Sequence, residues 1–377
     1  ASQQVILLWP REKNLEPVAP HPLLTRIKTA HPNLPIFDLD QDELPGLPAT
    51  AKTEVPERPL PTLSRWIRLP QGLPPLSLLK KESFSSLNQF IHRPIEWILD
   101  RQAKLHRTKQ INVVTQRGNL LHGVVERLLD PACALKWQTM AKSEFRSWLK
   151  QIWKELLKTE GANYLLPGQE EGRSLREEAQ LATWIFITQL KKAGVVEALA
   201  EVGNLPTVPL RPGCQVGGRI DLIARTQDGH TAVIDLKYGQ KKNKMDDLKN
   251  NTALQLAIYS QLVNQDEGTW PAAAYFILRS RELLAPDSNF FKEATTPAPQ
   301  DSLPDLETTW SEFLDVLAWR EKQLADGWLE VPLKGAAPIH EDAERPSSDP
   351  PHANWKSNED APRYDPYHFL IGTEDQS

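Results

Sequence analysis

The strongest constraint on this chain is a pair of apolar runs, Gly218 to Arg225 and Thr231 to Lys237, separated by Gln227-Asp228-Gly229. Both runs are rich in Ile, Val and Leu and read as strands, and the Asp-Gly between them reads as a hairpin turn. The length of the turn sets the register. A two-residue Asp-Gly loop pairs Asp221 with Leu236 and puts Asp221 and Asp235 on opposite faces. A three-residue loop with Gly229 in the left-handed conformation pairs Arg225 with Thr231, Ile223 with Val233, and Asp221 with Asp235. Residues two apart share a face of a strand. The second register therefore gathers Asp221, Asp235 and Lys237 on one face and sends Ile220, Leu222, Ile234 and Leu236 into a core. It is preferred here because it brings the acids together, a preference that takes the chemistry as its premise.

Two carboxylates facing each other are costly without a cation between them. A hard divalent ion with oxygen ligands, Mg²⁺ or Mn²⁺, resolves that conflict. Such an ion activates water and offsets charge on a phosphoryl oxygen, and Lys237 stands where that charge develops. A solvated hairpin face with a surface ion pair is the plainer account of any Asp/Asp/Lys set. Three further segments weigh against it.

The first runs from Gly118 to Leu129. Leu121, Val124, Val125, Leu128 and Leu129 form a helical apolar stripe, and His122 and Glu126 share a neighbouring face. The second is Gln255-Leu256-Ala257-Ile258-Tyr259, which places Gln255 and Tyr259 four apart on a helix. That pair can hydrogen-bond a lysine, a water or a phosphate, or be an ordinary polar helix edge. The third, Ser83 to Phe90 followed by Pro94-Ile95-Glu96-Trp97, reads as a capped helix start with aromatics facing a core.

In this order the segments resemble the RecB-type nuclease domain of the PD-(D/E)XK superfamily, and within it the C-terminal nuclease domain of AddB-like helicase–nuclease subunits. The family pattern of Ser-x-Ser-x-Leu, Gly-x-x-x-His-x-x-x-Glu, Gly-x-x-Asp, Asp-x-Lys and Gln-x-x-x-Tyr falls here on Ser83 to Leu87, on Gly118 with His122 and Glu126, on Gly218 with Asp221, on Asp235 with Lys237, and on Gln255 with Tyr259. The resemblance implies an α/β fold with a mixed central sheet flanked by helices and large helical additions. It implies that His122, Asp221, Asp235 and the Leu236 carbonyl bind Mg²⁺ or Mn²⁺, that Lys237 is catalytic, and that Gln255 and Tyr259 support the site. The implied activity is hydrolysis of DNA, acting on single-stranded ends with a helicase in cis or in trans. An exonuclease of CRISPR adaptation or phage defence, and a DNA-binding subunit that keeps the fold without cleavage, are the alternatives. Intact Asp221, Asp235 and Lys237 favour the enzyme.

Many relatives carry four cysteines for an iron–sulfur cluster. This chain has two, Cys133 and Cys214, and Arg93 stands where the first cluster cysteine would precede Pro94. Cluster ligation needs four thiolates, so no iron–sulfur cluster is expected. Two cysteines in 377 residues also argue against a disulfide scaffold and fit a reducing cytoplasm.

The length suffices for one large domain with attachments. A net charge of −5 gives no overall basic footprint, so nucleic acid must be met by local patches. Lys241, Lys242 and Lys244, with Lys249, form the best candidate, interrupted by Asp246 and Asp247; a solvated loop is the competing reading. There is no Gly-x-x-x-x-Gly-Lys-Ser/Thr motif of an ATPase. No apolar run is long enough to span a bilayer, and no secretory signal is evident. Residues 1–80 are proline-rich, with a strand expected at Gln4 to Trp9, a short helix at Pro22 to Ala30, and an extended, element-free run from Pro45 to Pro75. This segment resembles the end of a helicase-like region, and with Ala1 at the start the chain reads as a fragment of a longer one. Residues 81–335 read as the nuclease domain, with helices expected at 83–105, 115–130, 137–159, 172–201, 246–264 and 305–326 and a third strand at 270–279. Residues 336–377 read as a polar, acidic, mobile tail whose Tyr364, Tyr367 and Phe369 could dock on the core or on another domain.

Overall fold

Several elements of this chain begin or end on proline, glycine or a capping residue. The computed structural model describes residues 12–13, 16–17, 22–33, 65–70, 72, 76–105, 113–161, 170–297, 305–331, 346–356 and 367. Residues 1–63 with 361–377 form one compact unit, and residues 64–360 form a second. The first holds the antiparallel pair β1 (Glu12–Lys13) and β2 (Glu16–Pro17) and the helix α1 (Pro22–Ala30), which starts on a proline at its first position. The strand expected at Gln4 to Trp9 lies outside the described residues.

The second unit opens with β3 (Trp66–Arg68) and β4 (Lys81–Glu82). A strand at 66–68 corrects the expectation of an element-free stretch through Pro75, because β3 pairs with a strand late in the chain. Helix α2 (Phe84–His92) is capped by Ser83, whose Oγ accepts the Ser86 N–H at 3.4 Å. The single helix expected over 83–105 is broken at Arg93-Pro94, where proline has no N–H to give. The chain restarts as α3 (Pro94–Trp97) and runs into one π-helical turn, Ile98–Gln102. Helices α4 (Val113–Leu129), α5 (Lys142–Glu160) and α6 (Glu170–Lys192) follow.

The helix expected over 172–201 stops at Lys192. Its last segment is instead β5 (Val195–Val202), followed by the unanticipated short strands β6 (Val208–Arg211) and β7 (Cys214–Val216). The hairpin is β8 (Ile220–Thr226) and β9 (Thr231–Lys237), with Arg225 opposite Thr231 and Ile223 opposite Val233. Thr226 and His230 close the three-residue loop through a 3.0 Å backbone bond, and Gly229 has φ +83°, a conformation that favours glycine. The helix expected over 246–264 is two, α7 (Lys241–Lys249) and α8 (Leu254–Glu267), with Asn251 at φ +53° between them. Then come β10 (Ala272–Ile277), β11 (Glu282–Leu284), α9 (Leu306–Ala325) and β12 (Trp328–Glu330).

The main sheet has the order β11-β10-β9-β8-β5. All its pairs are antiparallel except β9–β10, which is parallel and needs the crossover that α7 and α8 supply. Strands β4, β7 and β6 make a smaller sheet, and β3 pairs with β12. Both faces of the main sheet are covered. Leu222, Ile234 and Leu236 pack with α4, α5 and α6, while Ile223 and Val233 pack with α2, α8 and α9. Ile220, expected beside Leu222, belongs to the second core. The fold is mixed α/β, a mixed sheet flanked by helices.

The second core is pinned by a buried ionic knot. Glu330 of β12 pairs with Arg320 of α9 and, at 2.7 Å, with Arg65. Arg320 also donates to the Ile91 carbonyl and to Gln323 Oε1, each at 2.8 Å. Charges this deep are tolerated only when paired and hydrogen-bonded. Residues 346–356, expected to be mobile, lie in the second unit, and Trp355 is buried against Phe313 with its Nε1–H on Glu312 at 3.0 Å. Of the tail aromatics only Tyr367 is described, and it is buried.

His92 ends α2 beside this knot. Burial, then the charges of Arg320 and Arg93, push its pKa down to about 4. The imidazole is neutral in the folded protein and protonates in the unfolded chain below about pH 6.5. The unfolded state thus binds more protons, and stability drops as pH falls from about 6.5 towards 4. His92→Gln should flatten the melting-temperature profile over that window; an unchanged slope counts against the assignment. Trp355→Ala should cost about 3 kcal/mol in denaturant unfolding, as removal of a buried tryptophan does. A loss within error of zero would mean that the C-terminal segment is not anchored there.

Candidate active site

The acids meet where β8 and β9 part. The ladder between them runs to Leu222–Ile234, and beyond it the Asp221 carboxylate, not a backbone carbonyl, accepts the Leu236 N–H at 2.8 Å. Splaying turns one carboxylate into a lid on the neighbouring strand and leaves its remaining lone pairs free. Asp235, one position back on β9, is 0% exposed. Its Oδ1 accepts from Gln255 Nε2 at 2.6 Å, and the same Nε2 lies 3.0 Å from the Tyr259 hydroxyl. Its Oδ2 is ion-paired with Lys237 Nζ at 2.6 Å but finds no well-aligned hydrogen-bond donor. Helical spacing on α8 makes this possible, since Gln255 and Tyr259 stand one above the other over the β9 acid.

Electrostatics follow the crowding. Burial pushes Asp235 up to about 7; Lys237 opposes this and Asp221 adds to it. His122, from α4 on the other face of the sheet, brings Nδ1 to 3.9 Å from Asp221 Oδ2. Burial holds its imidazole below the ordinary value, against the pull of Asp221, and leaves it neutral. A neutral imidazole has the free lone pair a metal ligand needs. Burial pushes the Tyr259 hydroxyl up, with Asp235 adding to the effect.

Glu201 was missed by the sequence reading because its segment was read as helix. It stands near the end of β5 with φ +54°, and an oxygen of its carboxylate, one of Asp221 and a nitrogen of His122 lie within 4.8 Å of one another. Burial raises its pKa first, then the charges of Asp221 and Glu126, while Arg219 at 3.0 Å opposes them. Two carboxylates held this close beside a neutral imidazole, with the charge of Glu126 adding to theirs and that of Arg219 opposing it, leave room for a cation's charge. The donor set of carboxylates with one neutral imidazole fits a hard or borderline divalent ion.

A family model described as the PD-(D/E)XK nuclease superfamily matches residues 81–333. The chain belongs to the PD-(D/E)XK nuclease superfamily. A search of the curated proteins found no match. Nucleases of this superfamily use divalent metals.

Two of the lysines that follow the site are paired. Lys241 is bound to Glu282 at 2.5 Å, and Lys244 is paired with Asp247 at 2.6 Å with its ammonium 5.1 Å from the centre of the Tyr275 ring. Only Lys242 of the three stands exposed without such a pairing. The cysteines carry no cluster pattern: Cys214 is buried in the second core and Cys133 packs on the first. Among the described residues no helix is long and apolar enough to cross a membrane.

Gln255 is the support on which the buried acid rests. Gln255→Leu keeps the volume and removes the donor to Asp235. In metal-free protein it should cost about 1–3 kcal/mol in denaturant unfolding, the penalty of an unsatisfied buried acceptor. A stability equal to wild type would show that Asp235 does not need this bond.

Proposed function

We propose that this chain is a divalent-metal-dependent DNA nuclease that hydrolyses phosphodiester bonds, with single-stranded ends as its substrate. The observation that carries the reading is the corner itself. Asp221, Asp235 and Lys237 come from two adjacent strands, and His122 and Gln255 reach them from helices on opposite faces of one sheet. Asp221, Asp235, His122 and the Leu236 carbonyl, joined by Glu201, would hold Mg²⁺ or Mn²⁺. The ion, when bound, would supply Lewis-acid stabilisation of phosphoryl charge and ready a water for attack.

The chain's own residues carry the rest. Lys237, partly exposed and anchored by Asp235, presents its ammonium to a phosphate oxygen or to the water beside it. Gln255 fixes the Asp235 carboxylate in one orientation, and Tyr259 fixes Gln255. The Leu236 N–H orients Asp221. Because these supports sit on a sheet and two helices rather than on loops, the groups are set before substrate arrives. The likeness to AddB-like subunits supports a helicase as the source of the single strand, since the sequence has no ATPase phosphate loop of its own. It also supports residues 81–335 as the nuclease domain between a proline-rich leader and an acidic tail. The low cysteine count supports a reducing, cytoplasmic setting.

Labelled single- and double-stranded DNA, incubated with and without Mg²⁺ or Mn²⁺, tests the proposal. Asp221→Asn and Asp235→Asn should each abolish cleavage while DNA binding survives. Lys237→Ala should keep most metal binding in calorimetry and cut turnover on the order of 10²-fold, the size expected for loss of a charge that stabilises the transition state. Cleavage by either Asn variant at the wild-type rate would refute the site. Wild-type protein that cleaves no DNA at any metal concentration would refute the enzyme.

A further inference from the structure

A cleft of about 500 Å³ opens beside the acids, between the start of β8, the end of β5 and the β4–α2 corner. Its wall includes Gly218 and Arg219, which stand three and two residues before Asp221 on the same chain. Its wall therefore runs into the strand that carries Asp221. Three cations line it: Lys81, Arg101 and Arg219. Arg219 is committed to Glu201, but Lys81 and Arg101 have no hydrogen-bond or ion-pair partner among the described residues. Ser83, the cap of the nine-residue α2, and Ser86, in its first turn, line the same wall and add the positive end of that helix.

The remaining charge in the cleft is Glu82, and its environment is informative. It is 2% exposed; Oε1 accepts the Leu79 N–H at 2.7 Å, whereas Oε2 is buried and has no hydrogen-bond partner. A buried acceptor without a donor is costly, so a donor brought by a ligand at this wall would lower that cost. The same ligand would bring negative charge for the cations. A nucleotide unit carries both, a phosphate for Lys81 and Arg101 and a base amino or sugar hydroxyl group for Glu82. The volume suits one small-molecule-sized unit and is too small for a duplex.

We infer that this cleft is a strand subsite, holding the nucleotide next to the scissile phosphate and selecting single-stranded over double-stranded substrate. The inference rests on the nuclease reading, but it concerns binding and is tested apart from cleavage. The chain is titrated in EDTA against a labelled short oligodeoxythymidylate, with fluorescence anisotropy as the readout. Lys81→Glu with Arg101→Glu should weaken binding at least about tenfold and lower the slope of log affinity against log salt by about 0.7 per lost phosphate contact. Lys142→Glu with Lys150→Glu, on α5, should change neither. Glu82→Gln replaces the waiting acceptor with a donor and should weaken binding without altering the salt slope. Thermal melts check that each variant is folded, and Arg101→Gln, at an exposed position, serves if the reversal is not.

Unlabelled single strand should displace the probe at least about tenfold better than blunt duplex, as expected for a site that engages one strand. Wild-type affinity in the folded double reversal, no binding by the wild-type chain at low salt, or equal competition by duplex would each overturn the inference. Binding through the cleft by a protein that cleaves nothing would support the subsite and sink the nuclease reading, so the two fail separately.

Discussion

Keeping one carboxylate, Asp235, out of water at the centre of the sheet is the condition on which the rest of this structure depends. An unpaired charge there would cost several kcal/mol, so the surrounding elements are arranged around its partners. Lys237 supplies the opposite charge from the same strand, and Gln255 supplies a donor from α8. For α8 to lie there, β9 must be covered on that face, and the parallel β9–β10 crossover is what carries the helix across it. The strand is consequently buried on both faces, unlike the half-solvated hairpin suggested by its acids. Its apolar residues pack alternately into two cores, and the acid takes a position that a Val or Ile would otherwise occupy. Oδ2 meets the Lys237 ammonium at 2.6 Å, though without a well-aligned hydrogen bond.

Local chemistry was the legible part. The hairpin register follows from one glycine, because Gly229 with positive φ closes a three-residue loop and a one-residue slip would reverse every side chain. The helical spacing of Gln255 and Tyr259, the Ser83 cap and the α4 stripe are likewise short-range signals, and the structure places them as helices where they were read. The failure at β5 has an equally local cause. Val195 to Val202 contains Ala, Leu and Glu, which favour helix, and this outweighed the stop signal just before it. That signal was Lys191-Lys192-Ala193-Gly194, basic residues in a last turn followed by a glycine that adopts φ +72°. Heeding it would have freed the segment to be a strand and exposed Glu201 as a neighbour of Asp221.

What could not be read was set by partners distant in sequence. Trp66 to Arg68 forms a strand only because Trp328 to Glu330 lies beside it, and Arg65 is held by Glu330. Trp355 is ordered by α9, not by its own acidic, proline-rich surroundings. The lysines after β9 looked like a free basic patch in one dimension, yet Glu282 and Asp247 neutralise Lys241 and Lys244 in three. Charge runs are judged poorly without their cross-chain neighbours, and Lys81 and Arg101, which line the cleft, were singled out by no sequence pattern.

Arg219 ties the acidic corner to the basic cleft. Its guanidinium is mostly exposed, lines the cleft and reaches the Glu201 carboxylate at 3.0 Å. Arg219 offsets the charges of Asp221 and Glu126 on Glu201. The same side chain therefore borders both the acids of the corner and the wall of the cleft.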